Sequence, residues 1–422
     1  MKKWLKRIVL GLLAIFALLY SFLMIRSHTP VPVHDEELRL ERASIPAGSN
    51  AFDVLAAAGT NVWFPDKQSL QFYDLASDTN WDDSLASTLL ASNREALAAW
   101  DAAAKLPNFQ VPEATNFDAD LTYLAVWKYR AQLAEVRENF LLRHGHETDG
   151  FNYILSDIQF THRMQNSHGV LITHLVSLAI GNMALSQIPH WLGKTHLEAN
   201  QLKSYIHQLA FDPSDDGIAY ASTIKAEYQY QIRWLEAWRD GKLNNTNFGT
   251  SYPHLSTLNP IFNLSQTKAL LANTSLLLVN AASHHYNEAQ LPNLESNRPS
   301  LISIFFSGNA MGQVLYFTQM PEVMQTLVSK SRANVTVQTT RTILALRAYQ
   351  LVHGQLPSNL SALVPEFLGK VPTDDFDGQP LRYSAERKIV YSVGKNLKDD
   401  GGDDSRDHPS HQPLDQVCHF DF

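Results

Sequence analysis

Between Lys398 and Asp407 the chain places five aspartates and two glycines within ten residues. Carboxylates at that density are the raw material of a hard-cation site. Calcium takes about six to eight oxygen ligands at roughly 2.3–2.6 Å, and a glycine-rich loop can fold tightly enough to supply them. Asp399, Asp400, Asp403 and Asp404 are the candidate ligands for Ca²⁺. The same composition also describes a solvated acidic loop with too little apolar mass to build a core, so both readings stand at this point.

Other chemistry is thinner. The densest histidine runs are His144-Gly145-His146-Glu147 and His284-His285-Tyr286-Asn287-Glu288. Neither has metalloprotease spacing. His284 and Glu288 stand one helical turn apart without an identifiable third ligand, so these are read as surface or helix-end histidines. Gly193-Lys194-Thr195 ends like a phosphate-binding loop, but Ile188 stands where the first glycine is required and no strand precedes it. No nucleophile elbow, dinucleotide fingerprint or kinase signature occurs. Phe160, Trp191, Trp234 and Trp238 are read as fillers of helix interfaces. Cys418 is the only cysteine, which excludes an intrachain disulfide; among Asp415, His419 and Asp421 it is read as an inert thiol.

The elements that would position such groups are mainly helical. Between Leu121 and Asp240 apolar residues recur at steps of three and four in successive blocks: Val126, Tyr129, Leu133, Val136, Phe140; then Phe151, Ile154, Ile158; then Leu171, Leu175, Leu178, Leu185. Thr195-His196-Leu197-Glu198 has capping-box spacing before Leu202, Ile206 and Leu209, and Ile224, Tyr228, Ile232 and Leu235 make a fifth stripe. Breakers at 145–150, 189–193 and 213–217 separate the blocks, which predicts an irregular antiparallel helical array without a fixed repeat. A short helix is predicted from about Ser49, and one more over Ser84–Lys105. Asn244 to Pro260 reads as a polar loop, Leu264 to Tyr286 as a helix, and Pro321 as the first turn of a long helix that reaches Val352 and stops at Gly354. Leu381–Ser384 and Lys388–Val393 then flank a tight turn and predict a hairpin.

The N-terminus carries Lys2, Lys3, Lys6 and Arg7, followed by an uncharged run from Ile8 to Ile25. Eighteen helical residues rise about 27 Å, close to the ~30 Å of a hydrocarbon core. The charge bias predicts an N-terminus in the cytoplasm with the rest exported. A cleaved signal peptide is the competing reading, against which stand the length of the run and the lack of a small-x-small site at its end, so an uncleaved anchor is expected. Beyond Arg7 the chain holds 30 basic and 42 acidic residues, a charge of −12 that argues against nucleic acid or anionic lipid as a partner of the ectodomain.

From about Asn334 to Asp404 the chain resembles a known family. Ala345-Leu346-Arg347-Ala348-Tyr349 and His353-Gly354-Gln355-Leu356-Pro357 are followed by Val371-Pro372-Thr373-Asp374-Asp375-Phe376-Asp377-Gly378-Gln379-Pro380-Leu381-Arg382-Tyr383, by Tyr391-Ser392-Val393-Gly394 and by Asp399-Asp400-Gly401-Gly402. In that order and spacing they resemble the globular end of the major pseudopilin of type II secretion, a module similar to ones on uncharacterised membrane-anchored bacterial proteins. The resemblance covers about a sixth of the chain. It implies a helix packed on a hairpin and calcium in the loop after the second strand, although Asn396 stands where the family usually has an acid. Gly11-Leu12-Leu13-Ala14-Ile15 lacks the acid of a prepilin start, so a processed pilin subunit is not implied.

The resulting expectation is a mainly α protein with four parts. They are a transmembrane anchor (1–26), a stalk (27–50), a helical ectodomain (51–320) and a pseudopilin-like α+β module with an acidic loop (321–422). The expected function is that of an envelope scaffold or interaction protein, tethered in the inner membrane, facing the periplasm, binding an envelope protein partner and linked to secretion or pilus-like machinery. The alternative is an envelope hydrolase with dispersed catalytic residues. A deep pocket joining a histidine to a carboxylate or serine would favour the hydrolase, and a flat helical face the scaffold.

Overall fold

The computed structural model describes residues 2–59, 62–63, 69–115, 121–242, 259–404 and 414–422. Helix α1 (Lys2–His28) is long and apolar enough to cross a membrane, and almost all of it is exposed. The exceptions are Leu23 and Ser27, one turn apart and both buried near its end. From there the chain is fastened down. Asn263 donates to the carbonyls of Arg26 (3.2 Å) and Thr29 (2.8 Å), and the Val31 N–H donates to Ser265 (3.0 Å).

Residues 27–50, expected as a stalk, are fastened to the fold along their length. Leu38 is 1% exposed, Tyr228 donates to Asp35 at 2.6 Å, and Gln229 donates to the Leu38 carbonyl at 3.0 Å. Farther on, Arg42 reaches the carbonyls of Val111 and His168. Of its charged residues Glu36, Glu37, Arg39 and Glu41 stay in water, while Leu38 is too apolar to leave there.

Helices α2 (Ala51–Ala57) and α3 (Ser69–Ala76) come next. The single helix expected over Ser84–Lys105 is two, α4 (Asp83–Ser92) and α5 (Arg94–Ala104). The break is Asn93, whose buried amide accepts from the Trp63 N–H (2.7 Å) and donates to the Trp63 carbonyl (2.9 Å). Those bonds satisfy a backbone segment that would otherwise be stranded.

The predicted helical array is present: α6 (Tyr123–Arg143), α7 (Glu147–Gln165), α8 (Leu171–Leu192), α9 (Ala199–Gln208) and α10 (Pro213–Arg239). Helix α6 is central, packed against α3, α4, α5, α7 and α8. From Arg130 to Asn139 every residue but Arg137 is buried, so the one-sided stripe read from the sequence understates its burial. Helix α8 also has the length and composition of a membrane span, yet it packs against α6, α7 and α10. Helix α9 begins after Glu198, not Thr195: Glu198 and Gln201 form the capping box, while the buried Thr195 bonds back to Leu192.

Helix α11 (Leu264–Ala281) ends before a 3-10 turn at Tyr286–Glu288. The polar loop expected over Asn244–Pro260 lies almost wholly outside the described residues. A short helix, α12 (Leu301–Phe306), was not expected, and α13 (Ala310–His353) starts eleven residues before Pro321, which sits inside it. Gly354 ends α13 at φ +76°, as its position in the sequence implied. Strands β1 (Arg382–Ser384) and β2 (Ile389–Ser392) form the predicted hairpin, and β3 (Gln416–His419) adds an unforeseen third antiparallel strand on β2, with Cys418 opposite Val390. One core joins both regions: Phe151, Ile188 and Leu202 from the helical array cluster with Leu344 of α13, Val390 of β2 and Phe420.

Candidate functional site

Two backbone hydrogen bonds join segments about ninety residues apart. The Tyr286 N–H donates to the Asp375 carbonyl (2.8 Å) and the Asn287 N–H to that of Phe376 (2.9 Å). Phe376 is fully buried and meets the Tyr286 ring edge-on at 5.5 Å. The turn after α11 is thereby held against the loop that leads into β1. Beside this junction opens a cleft of about 620 Å³, whose lining includes Asp216, Ser283, His285, Arg341, Lys370 and Asp375.

Charges in the cleft are unevenly matched. Asp216 accepts from His162 of α7 at 2.9 Å, and the His162 ring stacks on Phe211 at 3.9 Å. Asp375 lies 3.3 Å from the Lys330 ammonium and 3.7 Å from Nδ1 of His285. Arg341 bonds only to neutral oxygens, those of Ile206 (3.4 Å) and Gln338 (3.1 Å). Burial pulls its guanidinium below the usual arginine value. Lys370 is exposed at the rim, and among the described residues neither Arg341 nor Lys370 has a carboxylate partner. Two cations beside Asn334, Gln338 and Thr373 suit an anionic group, with Arg341 able to grip a carboxylate through two parallel N–H bonds.

The cleft also meets part of the requirement set for a hydrolase, since it brings Ser283, His285 and Asp375 together. The bonds that acyl transfer needs are not made. Ser283 Oγ pairs with Nδ1 of His284 (3.4 Å), while the His285 ring lies against Gly378, where a Cβ would sit 3.0 Å from Cδ2. A serine nucleophile requires its base within hydrogen-bond reach.

The four aspartates predicted to bind calcium are placed as follows. Asp399 accepts from the Tyr391 hydroxyl (3.2 Å) and the Gly401 N–H (2.9 Å); Asp400 is held by Asn396 (2.7 Å) and Lys398 (2.8 Å). Asp404 is buried and paired with His419, and the Asp403 N–H donates to Asp415 (3.2 Å). Arg387 takes the carbonyls of Gly401 and Gly402. Among the described residues no three of His, Cys, Asp or Glu converge as metal ligands. The carboxylates of Asp399, Asp400 and Asp404 face the chain's own donors, which calcium would have to displace. Sequence reasoning passed over Asp415, which is buried and also accepts from the Gly402 N–H (2.7 Å), so that it holds the loop from inside.

A second group of acids is sealed inside the bundle. Glu138 of α6 and Asp157 of α7 are buried close enough for each charge to act on the other, and among the described residues no hydrogen-bond donor reaches either Glu138 oxygen. Burial raises both; the Trp100 indole donates to Asp157 at 2.9 Å and marks it as the better-stabilised anion. Glu135, beside Gln187, is pushed up to about 8, chiefly by burial. Arg137 reaches out to Asp101 (2.8 Å) and lies over the Tyr153 ring at 3.7 Å.

His285 stood in a histidine-rich run and Asp375 in the module motif, but nothing in the sequence pairs them. Their meeting depends on backbone bonds that side-chain patterns do not announce. Compared with models of protein families, with curated proteins and with solved structures, the chain finds no match.

Proposed function

We propose that the chain is a membrane-tethered interaction protein whose cleft between the helical array and the C-terminal module receives an acidic group of an envelope protein partner. The observation that carries this reading is the pair Arg341 and Lys370, cations that line the cleft and have no carboxylate partner among the described residues. Four basic residues before the apolar span support an inner-membrane anchor with the N-terminus in the cytoplasm and the fold in the periplasm. The pseudopilin-like order of motifs after α13 supports a setting in secretion or pilus-like machinery. Calcium enters this reading only as a ligand that displaces Lys398 and Arg387 from the acidic loop.

The test is thermal melting of the detergent-solubilised full chain with a hexaglutamate peptide and with hexaglutamine. A ligand that binds only the folded state adds RT ln(1 + [L]/Kd), or about 2.7 kcal/mol at one hundred times Kd. Hexaglutamate is expected to raise the melting temperature, hexaglutamine to leave it unchanged, and Lys370→Gln and Arg341→Gln each to weaken the response. Equal responses to both peptides, or a response indifferent to both substitutions, would overturn the reading. The hydrolase remains a second reading because Ser283, His285 and Asp375 share the cleft. Covalent labelling by a serine-directed phosphonate that Ser283→Ala abolishes would favour it instead.

A further inference from the structure

From Pro299 to Pro321 the chain has no charged residue, and this stretch contains α12. On this short helix Leu301 (78% exposed), Ile302 (72%), Phe305 (44%) and Phe306 (43%) fall at positions i, i+1, i+4 and i+5, which form one face, while Ile304 turns inward and is buried. Four large apolar side chains on one uncharged face are costly in water. Their location supplies the reason. Gly308, two residues past α12, is pressed on the end of α1: a Cβ there would lie 2.5 Å from Cβ of Arg26 and 2.7 Å from the Ser27 nitrogen. The Ser307 carbonyl lies 3.5 Å from Nε of Arg26. A six-residue helix is about 9 Å long, so all of α12 stays close to the point where α1 leaves its apolar span.

The depth also fits. Leu23 lies within the uncharged run that ends at Ile25, yet it is 4% exposed, so the ectodomain covers α1 down to the level of the acyl chains. Arg298, exposed just before α12, stands where a cation meets lipid phosphates.

We infer that α12 dips into the leaflet from which α1 emerges, with Leu301, Ile302, Phe305 and Phe306 among the acyl chains. The fold thus rests on the membrane at a second point and is held in one orientation relative to it. This inference rests on the reading of α1 as a membrane anchor.

The test uses the full chain with Cys418→Ala, a single cysteine at Leu301→Cys or Phe305→Cys, and an environment-sensitive fluorophore. The protein is reconstituted in phosphatidylethanolamine–phosphatidylglycerol vesicles that carry acyl-chain nitroxides. A reference label is placed in α1 at Ala17→Cys. The labels at 301 and 305 are expected to lose most of their emission to the nitroxides, as the label at 17 does. Quenching at 17 with full emission at 301 and 305 would overturn the inference and leave the anchor standing; it includes the case in which a second copy of the chain covers α12. Full emission at all three positions would overturn the anchor reading together with the inference.

Discussion

Glu135 lies on the enclosed middle stretch of α6, and the consequence is a proton held up to about pH 8. An unfolded glutamate titrates near about 4.3. Between those values the folded chain keeps a proton that the unfolded chain has lost, so stability falls as pH rises, by about 1.4 kcal/mol per pH unit for each proton retained. Glu138 and Asp157, both raised chiefly by burial, act with the same sign. Asp78 acts oppositely: burial raises it, but bonds from His190 (2.8 Å) and Arg143 outweigh that and hold it below the usual carboxylate value. Its contribution is present above the unfolded value and lost only as pH falls through the lower folded one, outside the window of the buried acids. The urea midpoint of the detergent-solubilised chain is therefore expected to fall between pH 5 and pH 8. Glu135→Gln should flatten that slope and raise stability at pH 8 by more than ~1 kcal/mol, and a wild-type midpoint that climbs with pH would contradict the account. In the acidic loop, Lys398 and Arg387 occupy the oxygens that calcium would need. Millimolar calcium is expected to leave the wild-type melting temperature where a chelator leaves it. A rise that Asp400→Ala removes would show instead that the loop rearranges around the ion.

Among the elements, residues 27–50 give the sharpest contrast with the sequence. Prolines and mixed charges read as a stalk, but one leucine decides the matter by packing under α10 and α11. Leu38→Ala should cost about 2–5 kcal/mol in urea unfolding, as core leucines do, whereas a free stalk would lose nothing. Elements with a local signature were legible: the helical stripes of α7 and α8, the glycine that ends α13, and the β1–β2 hairpin with its turn. The rest lacked one. Helix α12 is too short to show a period, and Asn93 breaks α4 from α5 only because Trp63 is there to receive its amide. Strand β3 pairs with β2 across the acidic loop, and Glu198 rather than Thr195 caps α9 because Thr195 is already committed to the end of α8. Helix α6 shows the limit of periodicity, since its middle, from Arg130 to Asn139, is buried nearly all round and has no solvent face to reveal it.

At the scale of the whole molecule, the core that runs from Phe151 through Leu344 to Val390 ties the C-terminal module to the helical array, and the cleft exists because the two are joined. Sequence could suggest each part but not the cleft, whose residues come from four separate stretches of chain and share no motif. The apolar N-terminal helix, by contrast, was legible from hydropathy alone, and α1 is long and apolar enough to cross a membrane. Everything proposed here, the capture of an acidic partner and the second rest on the leaflet alike, needs α1 to cross the membrane with the fold on the far side. The most direct measurement is a pair of reporters fused after Phe422: alkaline phosphatase, active only outside the cytoplasm, and a fluorescent protein that matures only inside it. The account requires an active phosphatase and a dark fluorescent fusion; a bright fluorescent fusion with inactive phosphatase would contradict it.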